Sequence, residues 1–352
     1  MKRNNWPETL LAWFDGSRRA LPWREDHPRN PYHVWVSEIM LQQTRTETVK
    51  GYFQRWMEQF PTIRDLAQAP EEQVLRAWQG LGYSSRARNL HKAARQVMAE
   101  WGGQLPRERK ALGSLAGIGA YTVGAILSMA FGEKIPAVDG NLLRVLSRLY
   151  GVEEDISGPQ GKKTITALAE EAIPGARPGD FNEALMDLGA EVCIPRHPRC
   201  EACPLTAFCQ AWKEGKTEIL PVKKPKAPQK ELAAACGLVV REGRYLFHKR
   251  PAKGMLASMW EFPMVLEPGA EKARSSLVKL LETEAGPAVW QHRHVFTHQI
   301  WNMTAYVMER AEVPGGEWSW FSPEEWEKVP LAGPHAKLAD WLKKTVDRNE
   351  KV

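Results

Sequence analysis

The chain has 352 residues, more than one small core usually organises, so at least two domains are expected. Its 48 Lys and Arg outnumber 42 Asp and Glu, a formal charge of +6 that suits a polyanionic partner without requiring one. The first apolar run is broken by Pro7 and Glu8, and no stretch is apolar for the length a bilayer demands, so a cytoplasmic protein without a membrane segment is expected.

From Pro7 to about Trp212, apolar residues recur at three- and four-residue spacing between Gly and Pro breaks, and this half reads as all-α. Trp35/Ile39, Val36/Met40 and Leu142/Val145/Leu146/Leu149 are examples. In "VWVSEIMLQQT" Glu38 stands among apolar neighbours, where a carboxylate is costly unless paired or kept protonated. A carboxylic acid that holds its proton is what general-acid catalysis needs; the plainer alternative is an exposed helix position.

"LGSLAGIGAYTVGAILSMAFG" predicts a helix end, a turn at Gly117-Ile118-Gly119 and a second helix from near Tyr121. Glycines in such a turn let backbone N–H groups gather ahead of a helix N-terminus, which is a phosphate-binding device. The same pattern also makes an ordinary helical hairpin. Further on, Asp139 in "VDGNLLRVLSRLYG" precedes a clear apolar helical pattern and, taken alone, reads as a helix N-cap.

Four of the five cysteines fall in "CIPRHPRCEACPLTAFC", as Cys193-x6-Cys200-x2-Cys203-x5-Cys209. Clustered thiols in a cytoplasmic protein point to metal rather than disulfides. Zinc usually takes two short pairs, and only one is present, so one compact loop supplying four thiolates favours a [4Fe–4S] cluster while leaving zinc open. Arg196, His197 and Arg199 ride on this loop, either against a phosphate backbone or as a solvated face. Cys236 lies apart and reads as a buried thiol.

Residues 215–231 are rich in lysine and proline and are expected to form an extended, solvated linker between domains at 1–214 and 232–352. Beyond it, Leu238–Val240 and Tyr245–Phe247 flank Glu242-Gly243, a hairpin signal. "HVFTHQIWNMTAYVMER" predicts a second strand pair turning near Asn302, and "KARSSLVKLLETEA" and "HAKLADWLKKTV" predict helices. This C-terminal domain is α+β.

The glycine hairpin, the following Asp and the cysteine spacing, in this order, resemble the helix-hairpin-helix DNA glycosylase superfamily with an iron–sulfur loop. "LPWR", "WVSEIMLQQTRTETV", "GLGYSSRARNLHKAA" and "FNEALMDLGAEVC" are similar to segments of its adenine glycosylase (MutY) branch, and "HKRPAKGMLASMWEFP" and "HVFTHQIW" to that branch's Nudix-related C-terminal domain. The implied architecture is multidomain: an all-α helix-hairpin-helix glycosylase domain with a [4Fe–4S] loop, and an α+β Nudix-like domain. The endonuclease III branch is the alternative. Its bifunctional members carry a nucleophilic lysine where Tyr121 stands here, so a monofunctional enzyme is expected.

The resemblance implies a monomer acting on duplex DNA that contains an adenine:8-oxoguanine mispair. Glu38 would protonate adenine, Asp139 would stabilise the oxocarbenium ion, and Tyr121 would hydrogen-bond near Asp139. Trp23, Arg24, Leu41 and Glu183 would line the adenine pocket. Gln43, Thr44, Tyr83, Gly117 and Gly119 would contact DNA; Phe296, Thr297 and His298 would read 8-oxoguanine; Cys193, Cys200, Cys203 and Cys209 would hold the cluster. Two positions depart from the family pattern: Ser84 follows Tyr83 where a second tyrosine is common, and Thr297 stands where serine is frequent. The acidic helix of Nudix hydrolases is missing after Gly254, which favours reading over hydrolysis.

Overall fold

A computed structural model describes residues 5–224, 228–309, 313 and 315–349. The chain divides into two compact units, one formed by Met1–Gln68 and Asn89–Pro225, the other by Ala69–Arg88 and Lys226–Val352. The twenty residues from Ala69 therefore group with the C-terminal part rather than with the rest of the helical half. Side-chain bonds explain this: Trp260 Nε1 donates to Glu72 (3.1 Å), and Arg88 Nη1 to the Ala257 carbonyl (2.6 Å).

The expected helices follow one another as α1 (Trp6–Ser17), α2 (Pro31–Leu41), α3 (Thr46–Gln59), α4 (Ile63–Gln68), α5 (Glu71–Trp78) and α6 (Ser85–Trp101). Then come α7 (Arg109–Gly113), α8 (Ala120–Phe131), α9 (Gly140–Tyr150), α10 (Pro159–Ala172), α11 (Pro178–Glu191) and α12 (Gln210–Lys213). The predicted apolar face of α9 is buried throughout: Leu142, Val145, Leu146 and Leu149 meet Leu10 and Phe14 of α1, Ile165 of α10, and Phe181 and Leu185 of α11. Each such side chain contributes roughly 1.5–3 kcal/mol on leaving water, which fixes α9 and α11 as neighbours.

Residues 216–224 differ from the solvated linker expected. Leu220 is buried, its carbonyl accepts from Arg148 Nε (2.8 Å), and the Val222 carbonyl accepts from the Ile156 N–H (3.1 Å). One leucine and a few backbone carbonyls anchor the segment, too small a signal to stand out from its lysines and prolines.

In the second unit, strands β1 (Lys230–Arg241), β2 (Arg244–Lys249), β3 (Trp260–Glu261), β4 (Met264–Glu267), β5 (Ala285–Val295), β6 (Gln299–Met308) and β7 (Trp318–Phe321) make one mixed sheet. Its main path is β3-β2-β1-β6-β5, with β1 parallel to β6 and β4 and β7 pairing β1 and β2. Helix α13 (Ala270–Leu281) packs Leu277 and Leu281 with Val239 and Leu246 in one core. The short α14 (Pro323–Trp326) and α15 (Gly333–Asn349) join Trp301, Phe247 and Phe262 in another.

The predicted β1–β2 hairpin closes at Glu242 and Gly243, both left-handed (φ 51° and 72°), the backbone a two-residue hairpin loop demands. The second strand pair turns at Phe296–His298, not near Asn302, which lies inside β6 opposite Arg293. Asn302 is a turn-prone residue, but it occupies an exposed strand position flanked by buried Trp301 and Met303. Among the described residues no helix is long and apolar enough to cross a membrane.

Candidate active site

Helix α2 begins where the Asn30 side chain accepts from the Tyr32 N–H (2.9 Å) with Pro31 in the first turn. It packs against α8, burying Trp35, Val36, Ile39 and Met40 and taking Glu38 with them. On α8, a Cβ at Gly124 would fall 2.4 Å from the Pro136 carbonyl, so only glycine lets the 135–137 segment press so close. Asn182 of α11 secures that segment, accepting from the Ala137 N–H (3.0 Å) and donating to the Ile135 carbonyl (3.0 Å). The chain then delivers Asp139 to the start of α9.

Glu38 is 5% exposed, so the exposed-helix alternative is not the one the chain adopts. Burial pushes its pKa up to about 7; the Tyr121 hydrogen bond opposes this, the Asp139 and Glu183 charges add to it, and Arg24 pulls the other way. The Tyr121 hydroxyl donates to Glu38 Oε2, whereas the family resemblance implied a role beside Asp139. Tyr121 follows the hairpin turn on the first turn of α8, facing α2, and this brings its phenol to Glu38.

Asp139 combines both of its sequence readings. As the N-cap of α9 it accepts from the N–H groups of Asn141 (2.9 Å) and Leu142 (2.7 Å) and from Asn141 Nδ2 (2.8 Å). Burial raises its pKa, and these three bonds oppose the rise. Arg144 holds Asn141 in turn, donating to its Oδ1 (2.9 Å) and to the Cys193 carbonyl (2.7 Å).

Glu38, Tyr121 and Asp139 share a cavity of about 460 Å³ with Trp23, Arg24, Leu41, Gln43, Thr44 and Glu183. Nine residues expected to act on DNA thus converge from four helices and two loops. The structure adds some that the sequence reading missed. Arg18 and Arg29 join Arg24 around Glu183 at 2.9–3.3 Å, and Asp187 receives Arg19 and Arg24. Asp187 lies one helical turn after Glu183 in "FNEALMDLG", but the same helix also carries Asp180 and Glu191, so the pair does not stand out in the sequence.

Of the other expected DNA contacts, Tyr83, Gly117 and Gly119 lie outside this cavity. Gly117 has φ 75°, and a Cβ there would fall 2.7 Å from Asn89 Cβ, so the hairpin turn needs glycine on both counts. Gly119 caps α8, whose first N–H groups have no intrahelical partner. Gln43 and Tyr83 are exposed and both left-handed (φ 59° and 48°), a backbone state uncommon outside glycine. In the second unit the Tyr83 hydroxyl meets that of Thr297, in the turn where Thr297 and His298 are exposed and Phe296 packs on Trp301. Ser84 is buried just beyond Tyr83.

Cys193, Cys200, Cys203 and Cys209 are free thiols that line one small cavity with Arg148. Arg148 donates to Cys193 Sγ (3.3 Å) and to the carbonyls of Ile194 (2.8 Å) and Pro195 (3.1 Å). Backbone N–H groups of Leu205 and of Ala211 and Trp212 point at the Cys203 and Cys209 sulfurs. Among the described residues no three His, Cys, Asp or Glu side chains stand close enough to share a single ion. Four thiols around a cavity, with a buried guanidinium and N–H donors to offset their charge, fit a group that takes one thiolate at each of four irons. Arg196, His197 and Arg199 are exposed on the loop.

Comparison with known proteins gives the class first. Residues 36–174 match the HhH-GPD superfamily of base excision DNA repair proteins, and residues 234–341 match the NUDIX domain. The solved structure of a thermostable thymine-DNA glycosylase superposes with a TM-score of 0.54 at 33% identity, covering 59% of this chain and 95% of that one. A non-covalent endonuclease III–DNA complex, at 24% identity and TM-score 0.51, has the same fold over 60% of this chain and 94% of its own. The first unit is thus a helix-hairpin-helix base excision repair fold, and the second carries a Nudix-like domain.

Human adenine DNA glycosylase is 37% identical over 82% of this chain, which spans 64% of the human protein's length. The mouse adenine DNA glycosylase is 35% identical over 90% of this chain and 73% of its own. The chain belongs to the adenine DNA glycosylases.

Proposed function

We propose that this protein removes adenine mispaired with 8-oxoguanine, or with guanine, from duplex DNA. The observation that carries the reading is a buried carboxyl, Glu38, that keeps its proton to about pH 7 and shares a cavity with a second carboxylate, Asp139. The base would leave the stack to enter this cavity. Glu38 gives its proton to adenine N7, the C1′–N9 bond breaks with its electron pair going to the base, and an oxocarbenium ion remains. Asp139 bonds to C1′ from the opposite face. Water, deprotonated by Glu38, then displaces Asp139 and completes hydrolysis with retention.

The cavity's described lining contains no lysine, which supports a monofunctional glycosylase without strong lyase activity, since a Schiff base needs an amine. Gln43 and Tyr83 would fill the gap in the duplex, and Thr297 and His298 would touch the lesion, with Phe296 supporting their turn. Gly117 and Gly119 would present N–H groups to a phosphate. The four cysteines would hold a [4Fe–4S] cluster, which when bound would fix the fold of its loop and present Arg196, His197 and Arg199 to DNA. The protein would act as a cytoplasmic monomer on chromosomal DNA.

The deciding experiment measures adenine release from duplexes with adenine opposite 8-oxoguanine, guanine or thymine, and strand nicking separately. Release opposite 8-oxoguanine without nicking is expected. Release of an oxidised pyrimidine with nicking, and none of adenine, would sink the reading.

A further inference from the structure

Asp187 has no part in the reaction as described, yet it is fully buried beside the cavity. It lies one turn beyond Glu183 on α11. Its Oδ2 accepts from Arg24 Nη1 (2.7 Å) and its Oδ1 from Arg24 Nη2 (3.1 Å). Arg19 donates to the same Oδ1 through Nε (2.7 Å) and Nη2. Both ends of the Arg24 fork are therefore committed to one carboxylate, the bidentate geometry that fixes a guanidinium's plane as well as its position.

The same guanidinium also lines the cavity wall. Its Nε lies 3.1 Å from Glu183 Oε1, but the N–H is not aimed at that oxygen and finds no hydrogen-bond partner. A guanidinium carries five N–H donors, of which Asp187 takes one on each Nη, so N–H groups remain that a ligand in the cavity can meet. Acceptors of matching chemistry are the ring nitrogens of a purine.

We propose that Asp187 is a positioning residue: by holding both Nη atoms of Arg24, it fixes the plane in which the guanidinium presents its remaining N–H donors to a purine in the cavity. This rests on the adenine-excision reading of the same site. A second effect follows from charge. Glu38 faces Tyr121, Asp139, Glu183 and Arg24, and the Arg24 charge favours ionised Glu38. Asp187 offsets that charge, so losing it should let Glu38 give up its proton at lower pH.

The test compares single-turnover adenine excision by wild type, Asp187→Asn, Arg24→Met and the double variant, across pH, on duplexes with adenine opposite 8-oxoguanine. Binding of an abasic-site duplex opposite 8-oxoguanine reports folding. Asp187→Asn should excise about 10- to 100-fold more slowly, as expected when a substrate contact is misplaced, with abasic-duplex binding changed less than about threefold. Its rate should begin to fall at lower pH than that of wild type. On the Arg24→Met background, loss of Asp187 should cost no more than about threefold further, since the two act as one unit.

If Asp187→Asn also loses the abasic duplex, Arg24→Met/Asp187→Leu takes its place and must match Arg24→Met alone. A near wild-type Asp187→Asn, or costs that multiply in the double variant, would overturn the proposal. Failure of the wild-type protein to excise adenine would instead overturn the functional reading, and this one with it.

Discussion

Glu38 and Tyr121, 83 positions apart in the chain, meet in a hydrogen bond in which the phenol donates to the carboxyl Oε2. The bond engages one carboxyl oxygen of Glu38, a residue that lines the cavity. Because burial outweighs this bond in setting the Glu38 pKa, the acid gives up its proton only near pH 7 instead of near its ordinary value of 4.5.

Excision should therefore depend on pH through Glu38. The group is protonated below about 7, so the single-turnover rate should level off on the acid side and fall as pH rises through that value. Glu38→Gln cannot donate and should be slower by about 10²–10⁴-fold while still binding the mispair. Normal excision by this variant would remove Glu38 from the chemistry.

Asp139→Asn separates a helix cap from a reacting group. Asparagine caps helices about as well as aspartate, so the thermal midpoint should hardly move, while Asp139→Ala should lose about 1 kcal/mol of stability. Both variants should be inactive in excision. An active Asp139→Asn would leave this residue with capping alone.

Thr297→Ala removes the hydroxyl that meets Tyr83, at an exposed turn where no core is disturbed. Preference for 8-oxoguanine over guanine opposite adenine should decline by about 1 kcal/mol, the worth of one hydrogen bond, with little change in excision at saturating enzyme. An unchanged ratio of the two substrates would count against a reading role for this turn.

Serine in place of Cys200 should cost folding and DNA affinity before it costs bond cleavage. The loop carries no acid or base of the reaction, but its Cys193 carbonyl is one end of the Arg144–Asn141–Asp139 chain. Full duplex affinity and an unchanged melting curve for Cys200→Ser would argue that the loop needs nothing bound to it.

The architecture was legible because its signals are local. The 3.6-residue pattern of α9, the cap at Asp139 and the Glu242-Gly243 hairpin each report on a few consecutive residues, and the structure has all three. What escaped depends on contacts between distant segments. Nothing near Asp187 announces that Arg19 and Arg24, more than 160 positions away, will close on it. Tyr121 was assigned toward Asp139 by analogy, and only the packing of α8 on α2 directs its hydroxyl to Glu38. Leu220 likewise gains its meaning from Arg148, which a lysine-rich local composition conceals.

The burial of Glu38 has a thermodynamic side. An unfolded glutamate would lose its proton near its ordinary value of 4.5, whereas the folded one keeps it to about 7. The proton thus favours the native state fully below the unfolded pKa, and that contribution is lost as pH rises through the folded one. At mildly alkaline pH the fold works against an ionised carboxylate in an apolar site, a burden of up to about 3 kcal/mol for a shift of this size. Glutamine has no such charge to bury, so Glu38→Gln should melt later than the parent above pH 7 and about equally below pH 4.5. The group proposed to supply the acid is thereby one that weakens the native state as pH rises above 7.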